Sequence, residues 1–161
     1  MPVDLHPDLA ALAPLLGTWV GQGAGKYPTI EPFDYFEEVT FAHVGKPFLA
    51  YAQKTKAVAD DKPLHAETGY LRVPRPGHLE LVLAHPSGIT EIEVGTYSVT
   101  GDLIEMQMST TAVGLTPTAK EVTGLGRSFR IDGDELSYSV QMSAVGQPLQ
   151  DHLAAVLHRQ R

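Results

Sequence analysis

Four glycines fall within the nine residues from Gly17 to Gly25, and they surround the only tryptophan of the chain, Trp19. Glycine at every second place strips one face of an extended strand of its side chains. A backbone bared in this way has to be approached closely, either by another strand crossing at a barrel corner or by a flat ligand. Trp19 is the bulky counterweight, large enough to plug one end of a small barrel. Nucleotide-binding readings of the same glycines fail on their neighbours. A dinucleotide fingerprint needs a further glycine opening a helix, and here Pro28 stands where that helix should run. A phosphate loop needs glycine where Val20 stands, and Ser or Thr where Tyr27 follows Lys26.

The remainder of the chain divides into strands at turn signals. A short helix is expected first: Pro7 suits a first helical position, Leu9, Leu12, Leu15 and Leu16 recur at helical spacing, and Gly17 stops the run. Strands then follow at Phe33 to Ala42, Pro47 to Val58, His65 to Val73, His78 to His85, Ile89 to Thr100, Leu103 to Thr111, Lys120 to Ile131 and Glu135 to Ala144. Asp132-Gly133-Asp134 marks a tight hairpin between the last two. In the last of these strands Leu136, Tyr138, Val140, Met142 and Ala144 share a face, so Met142 points inward. His152 to Arg159 fits strand or helix by pattern alone; as a strand it would close a barrel. About ten strands at spacings of roughly 8–12 residues indicate an all-β fold, one ten-stranded antiparallel barrel in a single domain spanning 1–161. A barrel of that strand count is wider than its own side chains readily fill, so an internal cavity is expected.

Composition narrows the function. The 161 residues suit one domain with a sizeable core. No apolar run is long enough to span a bilayer and no basic-then-apolar leader opens the chain, so no membrane partner and a cytoplasmic address are expected. With no cysteine there is no disulfide, thiolate metal site or thiol catalysis. A net charge of -7 argues against nucleic acid as a partner.

The reactive inventory is therefore seven histidines and a few carboxylates. His43, His78 and His85 stand at strand ends beside turns and read as surface residues. Glu37-Glu38 splits across two strand faces, and Glu91-x-Glu93 shares a face that reads as solvated. His65 has the parity of Leu71 and Val73 and so faces inward. His152 follows the Gly146-Gln147-Pro148 loop, among Leu149, Leu153 and Val156. A neutral imidazole at a cavity mouth with apolar neighbours is a good axial ligand for haem iron, and a lone histidine on an apolar strand is also a common structural residue. Two imidazoles and the Met142 thioether among aliphatics suit a large, flat, mostly apolar cofactor.

Gly17-Thr18-Trp19-Val20-Gly21-Gln22-Gly23, continuing through Tyr27-Pro28-Thr29-Ile30 to Glu37-Glu38, resembles the signature region of the nitrobindins. Further matches run in the same order over essentially the whole chain: Gly45-Lys46-Pro47, Lys62-Pro63-Leu64-His65-x-Glu67-x-Gly69-Tyr70, and Gln147-Pro148-Leu149-x-x-His152-Leu153. The resemblance implies a barrel like that of the fatty-acid-binding proteins, holding one non-covalent haem b near a mouth. It implies that His152 is the proximal iron ligand, that Thr29 contacts the haem, and that His65 and Met142 line the pocket on the two sides of the porphyrin. Lys120 is a candidate propionate partner, or a solvated rim lysine. Some relatives carry methionine where Leu64 stands, which changes the wall and leaves the iron ligand untouched. The implied activity is binding of nitric oxide and conversion of peroxynitrite to nitrate at ferric haem; pairing of two copies is left open. The competing reading is a non-catalytic carrier of fatty acid or another apolar ligand. That reading predicts a buried arginine gripping a carboxylate, with Arg127 or Arg130 as the candidate.

Overall fold

A computed structural model describes residues 2–161. The leucine spacing at the start is three, not the 3.6 of an α-helix, and the fold uses it directly. In a 3-10 helix residues three apart eclipse, so Leu9, Leu12 and Leu15 form one stripe. Pro7–Leu15 is such a helix, with all three leucines fully buried. Burying each contributes about 1.5–3 kcal/mol. Leu16 lies off the stripe as the C-cap, and Gly17, at φ +118°, turns the chain into the first strand.

Ten strands follow: β1 (Gly17–Tyr27), β2 (Ile30–Ala42), β3 (Phe48–Ala57), β4 (Pro63–Arg72), β5 (His78–His85), β6 (Ile89–Thr100), β7 (Leu103–Leu115), β8 (Val122–Asp132), β9 (Glu135–Ala144) and β10 (Gln150–Arg159). Each pairs antiparallel with its sequence neighbour, and β10 returns to pair with β1, so the sheet is closed. The segment left ambiguous by its pattern is thus the closing strand, and the barrel has no open edge. Among the described residues, no helix is long and apolar enough to cross a membrane.

The inward face of β1 carries Trp19, Gly21, Gly23, Gly25 and Tyr27, and the protein's own groups cover its bare backbone. Tyr35 and Phe33 on β2 stand opposite Gly23 and Gly25, and their rings occupy the space a Cβ would need. At Gly21 the backbone of Val156 and Leu157 on β10 approaches instead. A strand neighbour and two aromatic rings, rather than a ligand, are what the glycines admit.

The helix packs across one end of the barrel. The Trp19 indole N–H donates to the Leu15 carbonyl at 2.9 Å, and the Arg159 guanidinium lies 4.3 Å from the indole ring. Arg159 also donates to the carbonyls of Leu16 and Pro14, which fastens helix to barrel. At the other end five connections gather: 28–29, 58–62, 86–88, 116–121 and 145–149. Among the described residues no helix lies over that end.

Candidate functional site at the open end

All five residues singled out from the sequence lie at the open end. Thr29 is in the β1–β2 turn, His65 is near the start of β4, Lys120 is in the β7–β8 loop, Met142 is near the end of β9, and His152 is near the start of β10. Thr29 and Lys120 are exposed; His65, Met142 and His152 are half-buried. β10 and β4 are separated by three strands one way round the barrel and five the other, so His152 and His65 stand on well-separated walls.

His152 owes its position to a β-bulge. Pairing of β10 with β9 shifts between Asp151 and Leu153, leaving His152 as the extra residue. Strict alternation from Leu157 and Ala155 through Leu153 would send the next residue outward. The bulge instead leaves His152 and Leu153 both half-buried. The pairing of β1 with β2 also shifts register there, between Gly25 and Tyr27, with the extra residue on β2, and the β1–β10 ladder ends at Gly25 and Leu153. The next carbonyl of β1, that of Lys26, takes a bond from His152 Nδ1 at 3.0 Å. A carbonyl can only accept, so Nδ1 carries the proton and Nε2 carries the lone pair. Burial holds the imidazole pKa below its ordinary value, which keeps this tautomer neutral near pH 7. The Tyr27 ring meets the imidazole edge-on, with centroids 5.4 Å apart. Its hydroxyl accepts from Ala144 N–H at 2.9 Å and donates to the Met142 carbonyl at 3.1 Å, so the ring that orients His152 is itself tied to β9.

These features fit an axial haem ligand. The donor is neutral, its second nitrogen is fixed by a backbone carbonyl, and such a bond both sets ring orientation and raises ligand basicity. Apolar surface for a macrocycle is present beside it: Phe33, Met142 and Leu153 pack on the core but remain partly uncovered. Leu149 and Val156, neighbours in sequence, turn outward and are exposed.

The opposite wall differs from what the sequence suggested. His85 is not a surface residue: its side chain is 9% exposed, because β5 carries it onto the inward face before the turn. Glu91 and Glu93 are not solvated either; both are fully buried, while Ile92 and Val94 between and after them face out. Arg127 on β8 is buried among them, with Nη1 3.0 Å from Glu67, Nη2 2.6 Å from Glu91 and Nε 3.0 Å from Glu93. Burial pushes Glu91 up, but Arg127 and the His85 bond outweigh it and hold Glu91 below the usual carboxylate range. Glu93 goes the other way, raised by burial and by its hydrogen bond with Glu91, so one proton is retained in the pair. His65 Nε2 lies 3.0 Å from His85 Nδ1, and His85 Nε2 lies 2.7 Å from Glu91. Burial lowers the His65 pKa. Further in, Tyr138 donates to Glu37 at 2.6 Å and Gln53 donates to it at 2.7 Å, while burial raises Glu37 to about 7. The signal for this network was available in the sequence: Glu37, Glu67, Glu91, Glu93 and Arg127 all have inward parity.

The buried arginine sought by the carrier reading is thus present, as Arg127, but its donors are already taken by three carboxylates; Arg130 is exposed. A fatty-acid head group would meet surplus negative charge there.

A closed antiparallel barrel that presents a lone-pair imidazole at its uncapped end has the donor and the opening that a haem-holding β-barrel needs. Residues 8–159 match the family model described as the THAP4-like, heme-binding beta-barrel domain, and the chain belongs to that family. It is 86% identical to peroxynitrite isomerase 2 of Mycobacterium avium and 74% identical to the peroxynitrite isomerase of Mycobacterium leprae, over the full length of both chains in each case. The crystal structure of Rv2717c from M. tuberculosis superposes with a TM-score of 0.96 at 77% identity, covering 98% of this chain and 100% of that one.

Proposed function

We propose that the chain holds haem b through His152 and catalyses the isomerisation of peroxynitrite to nitrate, binding nitric oxide at the same place. The observation that carries the reading is His152 itself: a bulged, half-buried, neutral imidazole whose Nδ1–H is committed to the Lys26 carbonyl. Full-length relatives named for that activity support it.

The chain's own residues have definite tasks. His152 Nε2 ligates from one side, and the Lys26 carbonyl increases its electron density. Tyr27 holds the ring plane, while Phe33, Leu153 and Met142 give the macrocycle apolar contact. Thr29 and Lys120, exposed at the rim, meet the polar edge of the group, and His65 forms part of the facing wall. Haem, when bound, would supply the iron chemistry by which a small anion such as peroxynitrite, or nitric oxide, is bound and converted. No nucleic-acid partner is proposed, in keeping with the net charge of -7, and cytoplasmic residence is proposed with the rest.

Peroxynitrite decay followed by stopped flow tests the reading. The haem-loaded chain is expected to accelerate decay in proportion to its concentration and to raise the nitrate-to-nitrite ratio. Decay equal to that with the haem-free chain would refute it.

A further inference from the structure

The polar wall facing His152 holds a second set of metal donors. His65 Nε2, Glu67 Oε1 and His85 Nδ1 lie within 4.8 Å of one another, with 3.0 Å between the two nitrogens and 3.7 Å between His65 and Glu67. A tetrahedral zinc ion at its usual bond lengths sets its donors about 3.3 Å apart. The three atoms are therefore spaced for an ion after small side-chain adjustment. We propose that His65, Glu67 and His85 bind one first-row divalent cation of the zinc type, independently of the haem ligand on β10.

Each donor is aimed by a partner behind it. Glu91, ionised beside Arg127, accepts from His85 Nε2, which leaves the lone pair on Nδ1 facing His65. That carboxylate–histidine arrangement is the usual outer support of a metal-bound imidazole. Glu67 gives Oε2 to Arg127 at 3.0 Å and keeps Oε1 toward His65. His65 needs only a change of tautomer, its proton moving from Nε2 to Nδ1, to present a lone pair as well. Charge favours a cation: with Glu93 holding a proton, the Glu67 and Glu91 carboxylates still outnumber the single guanidinium of Arg127. The His65 side chain, 34% exposed, offers the way in, whereas Glu67 is buried and fixed. Two imidazoles and one carboxylate suit zinc or cobalt, while magnesium and calcium prefer all-oxygen sites. Three protein ligands leave a fourth position open.

Cobalt(II) titration of the full-length chain as isolated, followed by visible absorption and then by zinc displacement, tests the site. One cobalt per chain is expected, with the intense d–d bands of four-coordination, bleached by one equivalent of zinc. His85→Gln and the rim variant His65→Ala should each weaken uptake by about tenfold or more, and Glu91→Gln by about 10–100-fold. His152→Ala should leave it unchanged. The proposal is overturned if the parent chain shows no saturable uptake at one ion per chain. It is equally overturned if uptake survives His65→Ala and His85→Gln in chains with native melting curves, or is lost with His152→Ala.

Discussion

The two ends of the barrel are made from the same alternating strands, yet they are finished in opposite ways. At the closed end the inward positions are apolar and fully covered: Leu9, Leu12 and Leu15 from the helix meet Trp19, Leu136 and Leu157, all at 0% exposure. Toward the open end the inward positions become Glu37, Glu67, Glu91, Glu93 and Arg127, and the apolar residues beyond them, Phe33, Met142 and Leu153, are only partly covered. One end holds the fold together by burial; the other keeps a neutral imidazole, unsatisfied apolar surface and a charged wall in reach of a ligand. Burial can be completed where nothing must enter. Where something must enter, the inward face is left unfinished, and hydrogen bonds hold the site in shape.

That contrast can be broken by substitution. Trp19→Ala removes the plug and the indole–Leu15 bond and should cost about 3–5 kcal/mol in chemical denaturation, while hemin affinity per folded chain stays at the parent value. A large loss of hemin affinity would mean the ends are coupled. Arg127→Met leaves Glu67 and Glu91 buried without their cation, and about 3 kcal/mol should be lost in the same measurement. A neutral or stabilising result would show the network already compensates its charge by protonation. Glu37 sharpens the contrast through pH. Its folded pKa of about 7 stands above the ordinary 4.5, so the native chain keeps a proton that the unfolded chain releases. The stability it contributes is full below about 4.5 and lost as pH rises through about 7. The melting temperature of the parent relative to Glu37→Gln should therefore fall across that window and level off above it; a flat difference would contradict the assignment. Tyr27→Phe is the smallest change: losing the bonds to Ala144 and Met142 should cost about 1 kcal/mol and measurably weaken hemin binding, because the ring that orients His152 loses its tether.

Much of this was legible from residue order. The alternation of Glu135 to Ala144 fixed which side chains enter the barrel, the leucine spacing fixed a helix, and the glycine run with Trp19 marked the strand at which the barrel closes. The period of three marks that helix more finely as 3-10, because residues three apart eclipse only there. What escaped was of two kinds. A bulge leaves no trace in composition, so the pairing of His152 with the Lys26 carbonyl could be found only in the folded chain. The buried network escaped because carboxylates on a strand ordinarily face water, and β6 inverts that rule: Glu91 and Glu93 go in while Ile92 and Val94 go out. His85 was misplaced for a related reason. Its place beside Pro86 suggested a solvent-facing ring, whereas His85 has the inward parity of Leu79, Leu81 and Leu83 and its Nε2 meets the buried Glu91.

Hemin titration of His152→Ala against His158→Ala tests the account most directly, since the two histidines share a strand but His158 faces out. The expected result is a Soret band of five-coordinate ferric haem in the parent and in His158→Ala, and its loss in His152→Ala. A band that survives His152→Ala, or that disappears with His158→Ala, would contradict the account.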